Sequence, residues 1–296
     1  MIKLWNCRYL CLLLPGIMCL SQALSQRALP EKPTITVYVT VSEKRVSQPI
    51  ETPPQIVVSV DKQPVPVDSI RSADKEKMLF ALLVDISGSD AKKAKLIKQA
   101  ASNLFKRLSE LGNEGYLVVF NDRIQTSKRT AQPSEVQGTL DGVRFGGATA
   151  LNDAIAVTCA TILSASRNPA TTRRAIFLIT DGEDNASSLN REVAVEAAEK
   201  EGVPIFFLQT GFEGMSYGEK DRTVRLLDDD SNNTGGRAIL AKNLEEGVQS
   251  VIDAVNEQWA IRFRPAQDYD HKMHPLAITS EDNRVKISAP RQIVLP

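Results

Sequence analysis

Four short apolar runs stand out in the middle of the chain: Met78-Leu-Phe-Ala-Leu-Leu-Val84, Tyr116-Leu-Val-Val-Phe120, Ala175-Ile-Phe-Leu-Ile179 and Pro204-Ile-Phe-Phe-Leu208. None shows the apolar–polar alternation of a half-exposed strand, so each reads as a strand covered on both faces. The stretches between them carry helical spacing instead. Leu96, Ile97, Ala100, Ala101, Leu104, Phe105, Leu108 and Leu111 fall on one helix face, with Lys92, Lys93, Lys95, Lys98, Lys106 and Arg107 mostly off it. Further helices are predicted over 151–164, over 189–200 with Gly202 as a left-handed cap, and over 244–256. Buried strands alternating with amphipathic helices predict an α/β fold with a doubly wound, mostly parallel, Rossmann-like sheet.

On either side of this region the period changes to two. Thr34 to Val41 alternates β-branched and aromatic residues, and Ile56 to Val60 turns through Asp61-Lys-Gln63 into Pro64-Val-Pro-Val67, whose prolines favour an edge position. After the last helix, Trp259 to Arg264 alternates again. Leu276 to Thr279 and Val285 to Ser288 are then expected to form a hairpin across Glu281-Asp-Asn283. The expected organisation is a separate segment over 1–25, a β-rich leader over 26–75, an α/β domain over 76–257, and a C-terminal strand and β-hairpin over 258–296.

Residues 1–25 change the picture of where the chain goes. Lys3 and Arg8 precede the apolar run Tyr9 to Leu20, and Ala23-Leu24-Ser25 offers small residues at alternate positions, so this segment reads as a signal peptide cleaved after Ser25. The run is too short to cross a ~30 Å hydrocarbon layer comfortably, so no permanent membrane span is expected. Gly16-Ile-Met18 lacks the small residue that a lipidated Cys19 needs directly before it. The product is exported: periplasmic, at the cell surface or extracellular. Three of the four cysteines leave with the segment, and the remaining Cys159 lies in an apolar helical run where a buried, inert thiol is expected.

Charge is balanced, with 36 Lys+Arg against 36 Asp+Glu over 296 residues, and the lysines of the first helix are interspersed with acids and lack stacking aromatics. A nucleic-acid partner is therefore not expected.

The candidate chemistry sits at strand ends, where open α/β sheets bind ligands. The first buried strand empties into Val84-Asp85-Ile86-Ser87-Gly88-Ser89, the third into Thr180-Asp181-Gly182-Glu183-Asp184-Asn185, and Gly146-Gly147-Ala148-Thr149 opens a helix between them. Asp85-x-Ser87-x-Ser89, the Thr149 loop and Asp181-Gly182, in this order, resemble the metal-ion-dependent adhesion site of von Willebrand factor type A (VWA) domains. Thr149-Ala-Leu-Asn-Asp-Ala154, Phe177 to Asn185, Gly235-Gly-Arg and Gln258-Trp-Ala-Ile extend the likeness to a bacterial exported VWA-related subfamily over nearly the whole mature chain.

The resemblance implies a hard divalent cation, Mg²⁺ or Mn²⁺, bound by oxygen. Ser87 and Ser89 are implied as direct ligands, Thr149 as direct or water-mediated, and Asp85 and Asp181 as direct or water-mediated according to state. One position stays open for an acidic side chain from an unknown protein partner, which makes the implied function cation-dependent protein–protein interaction or adhesion. Asp90, where the subfamily often has methionine, and Asp184 are candidate accessory acids. Ala148 replaces a common second glycine of its loop. Asp153, in the first turn of its helix, is expected to be structural.

Other readings use the same residues. Asp85, Ser87 and Ser89 are favoured helix caps, which leaves Thr149 and Asp181 unexplained. A scaffold module of this fold whose contacts bypass the metal is the alternative binding model. For a hydrolase, Ser87 stands where aspartyl-phosphate phosphatases need their second carboxylate, and Ser89-Asp-Ala-Lys92 lacks the companion motifs of serine acylases. No enzyme is expected. His271 and His274 read as exposed turn residues.

Overall fold

The structure, a computed structural model, describes residues 34–43, 55–164, 173–211, 217–266 and 270–295. The expected signal segment lies outside them.

Ahead of the α/β region come β1 (Ile35–Glu43), β2 (Ile56–Val60), β3 (Gln63–Val65) and β4 (Val67–Ser72). Alternation gives β1 a buried face of Val37, Val39 and Val41. Asp61 and Lys62 both take positive φ, 51° and 65°, as a tight two-residue turn between twisted strands requires, and Pro64 is carried on the edge strand β3.

The central region follows as β5 (Met78–Asp85), α1 (Ala94–Glu110), β6 (Glu114–Phe120), β7 (Ile124–Thr126), α2 (Pro133–Gly142), α3 (Leu151–Val157), β8 (Arg173–Thr180), α4 (Arg191–Glu201), β9 (Ile205–Gln209), α5 (Tyr217–Thr234), β10 (Arg237–Ile239) and α6 (Leu244–Asn256). A 3-10 turn, Ala91–Lys93, precedes α1, and π-helical turns over Thr158–Leu163 continue α3. The strands form one sheet in the order β10-β9-β8-β5-β6-β7, parallel except for β7. Successive side chains point to opposite faces. Phe80, Leu82, Val84, Phe177 and Phe206 therefore pack beneath α1, α2 and α6, and Leu79, Ala81, Leu83, Ile176 and Phe207 beneath α3 and α4. The fold is α/β with a doubly wound, mostly parallel sheet, as the apolar runs predict. Gly202 takes the expected left-handed cap, with φ 61°. Cys159 is fully buried, and burial pushes its thiol up to about 12.

Past α6 lie β11 (Gln258–Phe263), β12 (Met273–Ser280), β13 (Val285–Ser288) and β14 (Gln292–Val294). These pair with the leader strands in two antiparallel four-stranded sheets, β13-β1-β11-β4 and β14-β12-β2-β3. Val39, Val58, Val60, Trp259, Ile261, Phe263, Leu276 and Leu295 share one core. The expected hairpin over 276–288 is not formed: β12 pairs with β2 and β14 while β13 pairs with β1. Leu276 and Ile278 fill that common core from one sheet, and the short turn after Ser280 carries the chain across to the other.

The tail also corrects the histidine reading. His271 is in a bend at positive φ, but His274 belongs to β12 with its ring held between two carboxylates, Nδ1 2.8 Å from Asp61 and Nε2 2.9 Å from Asp270. Among the described residues, no helix is long and apolar enough to cross a membrane.

Candidate metal centre

The chain steps from β5 to β6 on one side and later to β8 on the other, so the sheet's topological switch point lies between β5 and β8. Asp85 is the last residue of β5, Thr180 the last of β8, and Thr210 follows β9 directly. Three neighbouring strands thus deliver polar side chains to one end of the sheet.

Asp85 is fully buried and both of its oxygens are engaged: Oδ1 accepts from the Ser87 amide (2.9 Å) and Oδ2 from the Thr180 hydroxyl (2.7 Å). Thr180 Oγ1 in turn accepts from the Gly182 amide at 3.0 Å, fixing the turn that presents Asp181. The hydroxyls of Ser87 and Ser89 lie 3.1 Å apart. Asp85, Asp90 and Asp181 are all buried, and each offers a carboxylate oxygen within 4.8 Å of the others. The capping explanation fails here, because Asp90 is the residue at the N-cap of the 3-10 turn and makes no capping hydrogen bond through its side chain. Its carboxylate accepts instead from Thr210 Oγ1, at 2.8 and 3.0 Å to the two oxygens.

The Thr149 loop docks on the same place through its backbone. Gly88 N donates to Gly147 O (3.0 Å), Gly146 N to Ile86 O (2.8 Å), and Asn121 Nδ2 to Gly146 O (2.7 Å). Gly147 has φ 85°, and a Cβ there would lie 2.9 Å from the Asp122 carboxylate, so glycine is needed at 147. Ala148 is not at positive φ, so its position makes no such demand for glycine. Thr149 is buried, and Asn185 brackets its backbone by accepting from the Thr149 amide and donating to its carbonyl.

Asp184 stands apart from the three clustered acids. Its carboxylate accepts from the Asn152 amide, the Ser187 amide and the Ser187 hydroxyl, which makes it a brace for the start of α3. Asp153 is structural as expected, accepting from the amides of Ser188 and Leu189 at 2.9 Å each. Thr180, Thr210, Asn121 and Asn185 were not singled out by the sequence. Each is an ordinary polar residue whose role depends on what a neighbouring strand or loop places opposite it.

The electrostatics follow from burial and crowding. Burial raises the Asp85 carboxyl to about 6, opposed by its bonds to Ser87 and Thr180 and reinforced by Asp181. Burial likewise raises Asp90 to about 7, with Asp181 and Asp85 adding to the shift and Thr210 and Lys93 opposing it. Glu183 is raised by burial, then by Asp181 and Glu219.

The donor set fits a hard divalent cation. An octahedral ion with oxygens at ~2.1 Å sets neighbouring ligands ~3 Å apart, which matches the Ser87–Ser89 hydroxyl separation. The Asp85 and Asp90 carboxyls, raised first by burial and then by neighbouring carboxylates, are what a cation would relieve.

A family model described as von Willebrand factor type A domain matches residues 80–254. Among curated proteins there is no match. Among solved structures, an aerotolerance-related membrane protein from Bacteroides fragilis NCTC 9343 is 18% identical, with 61% of this chain and 99% of that chain covered at a TM-score of 0.47. BatB from Bacteroides thetaiotaomicron is 18% identical, covering 61% and 98% at 0.47. Proximal thread matrix protein 1 from the mussel byssus is 16% identical, covering 74% and 50% at 0.47.

Proposed function

The chain belongs to the von Willebrand factor type A domain family, and on that premise we propose that it binds another protein through a divalent cation, Mg²⁺ or Mn²⁺, held by Asp85, Ser87, Ser89, Thr149 and Asp181. The observation that carries this reading is the gathering of Asp85, Asp181 and the two serine hydroxyls at the switch point of the sheet. When bound, the ion supplies a Lewis-acidic position open to an oxygen ligand from the partner, with an acidic side chain as the expected donor. The chain's own residues do the positioning. Thr180 and the Ser87 amide hold Asp85, Gly182 ties Asp181 to the end of β8, and Asn121 and Asn185 fix the Thr149 loop against the serines.

The same reading keeps residues 1–25 as an export signal, supported by their sequence pattern, and 76–257 as the interaction domain. Titration calorimetry tests the centre directly. Wild-type protein is expected to bind Mn²⁺ and Mg²⁺ with measurable heat, and Asp181→Ala to lose at least tenfold in affinity. A wild-type protein that takes up neither ion, or an Asp181→Ala variant that binds as wild type, removes the cation from the proposal.

A further inference from the structure

We infer that Asp90 is a third carboxylate acting on the cation, one that tightens the cation while weakening the pull of the loaded site on a partner carboxylate. The inference rests on the cation reading above and changes the chemistry of the partner it would select.

Three observations support it. Asp90 directly follows Ser89, is 1% exposed, and places a carboxylate oxygen within 4.8 Å of those of Asp85 and Asp181. An aspartate at an N-cap normally satisfies the amides of the turn that follows, yet the Asp90 side chain makes no such bond and is turned toward Thr210 at the end of β9. The Thr210 hydroxyl has a single proton to share between the two Asp90 oxygens, so it leaves acceptor capacity on both.

Charge arithmetic gives the consequence. Two carboxylates and a divalent ion are neutral together, and an added carboxylate from a partner meets no opposing charge. A third carboxylate leaves the loaded cluster with a surplus negative charge, part of which Lys93 offsets. An incoming anion then meets repulsion, whereas hydroxyl, amide or carbonyl oxygens do not. Asp90 therefore shifts the preferred partner group from a carboxylate toward a neutral oxygen donor.

The test compares full-length wild type, Asp90→Asn and Thr210→Val, with Mn²⁺ as the metal and acetate as the carboxylate probe. Asparagine keeps the size of the side chain and an acceptor for Thr210. Three results are expected of Asp90→Asn: a Kd for Mn²⁺ at least tenfold higher by calorimetry, a metal-free melting temperature no lower than wild type, and a smaller rise on adding Mn²⁺. At saturating Mn²⁺, acetate should displace bound water, read by proton relaxation, at a concentration at least threefold lower than in wild type. Thr210→Val keeps the charge and should stay within threefold of wild type in Mn²⁺ affinity.

Equal Mn²⁺ affinity or equal acetate response in wild type and Asp90→Asn overturns the inference. So does a Thr210→Val loss matching that of Asp90→Asn, which would assign the effect to the tether. If wild type binds Mn²⁺ and the variants match it, only the role of Asp90 falls. If wild type binds none, the cation reading falls with it.

Discussion

At the residue scale, the centre divides into what its residues carry alone and what neighbours give them. Asp85, Ser87 and Ser89 were legible because they sit two apart at the end of an apolar run and in the loop that follows it. Asp90 was visible as an extra acid, but its burial against Thr210, 120 residues away, was not. Thr180 was invisible as a functional residue for the same reason: its hydroxyl acquires meaning only because β8 lies beside β5 and sets it 2.7 Å from Asp85. Thr180→Val keeps the shape and β-propensity of the side chain while removing the donor to Asp85 and the acceptor for Gly182. A lost hydrogen bond to a charged group is worth ~1.5–3 kcal/mol. The expected outcome is a Mn²⁺ affinity roughly tenfold weaker with the fold retained, read by calorimetry alongside circular dichroism. An unchanged affinity would mean that Asp85 is oriented by Ser87 alone.

At the scale of elements, strands with continuous apolar runs announce themselves and helices held by polar contacts do not. β5, β6, β8 and β9 fall where the runs of Leu, Ile, Val and Phe place them. α5 was missed because Asp-Asp-Asp-Ser-Asn-Asn gives no apolar stripe. Its inner face is fixed by Arg191 bonded to Asp230 and by Thr234, which accepts from the Ile205 amide. β10 was missed because three residues carry no period. It is admitted beside β9 by Gly236, where any Cβ would fall 1.9 Å from the Ile205 carbonyl. The clamp on His274 is a further element contact with no local signature, joining β12 to the β2–β3 turn through Asp61 and to the segment leading into β12 through Asp270. Hydrogen bonds to Asp270 and then Asp61 raise the imidazole, and the bond to His274 is the largest cause holding Asp270 down at about 2. The signs give a two-sided window. A raised histidine contributes stability fully present below its unfolded value, ~6.5, and lost as pH rises through its folded value. A depressed carboxyl contributes stability present above ~3.9 and lost as pH falls toward its folded value. The stability of the antiparallel sheets is therefore expected to be highest between about pH 4 and 6.5 and to decline on the alkaline side. His274→Gln should reduce the decline in urea midpoints measured from pH 5 to 9, leaving the part contributed by the raised Asp85 and Asp90 carboxyls. A decline of the same size in the variant would remove His274 as its cause.

At the scale of residues 34–296, the leader and tail that look like two small appendages complete one another. Thr34 to Val41 and Trp259 to Arg264 each read as strands in the sequence, but their pairing across more than 200 residues has no local trace; it follows from each needing its apolar face covered. The α/β region is thereby inserted between β4 and β11, adjacent strands whose ends meet where Ala73 N donates to Gln258 O at 2.8 Å. Arg173 joins that junction to the central sheet. It is 2% exposed, begins β8, and donates to the carbonyls of Ala73 and Val255 at 2.7 and 2.6 Å and to Gln258 Oε1 at 3.0 and 2.6 Å. Burial lowers its guanidinium to about 10, which leaves it charged at neutral pH. Arg173→Met fills much of the same space but removes hydrogen bonds from a charged donor to three acceptors, each bond worth ~1.5–3 kcal/mol; Gln258 Oε1 loses its donor, while the Ala73 and Val255 carbonyls keep the amides of Glu76 and Glu257. A total loss of at least ~3 kcal/mol is a large share of the 5–15 kcal/mol by which domains are folded. It should also uncouple the two regions, since these bonds run from the α/β sheet to β11 and to the chain entering β5. The variant is expected to show a lower urea midpoint, with Trp259 fluorescence, which reports the antiparallel core, changing before the far-ultraviolet helix signal. Coincident transitions at the wild-type midpoint would mean that strand pairing alone, and not this buried cation, holds the junction.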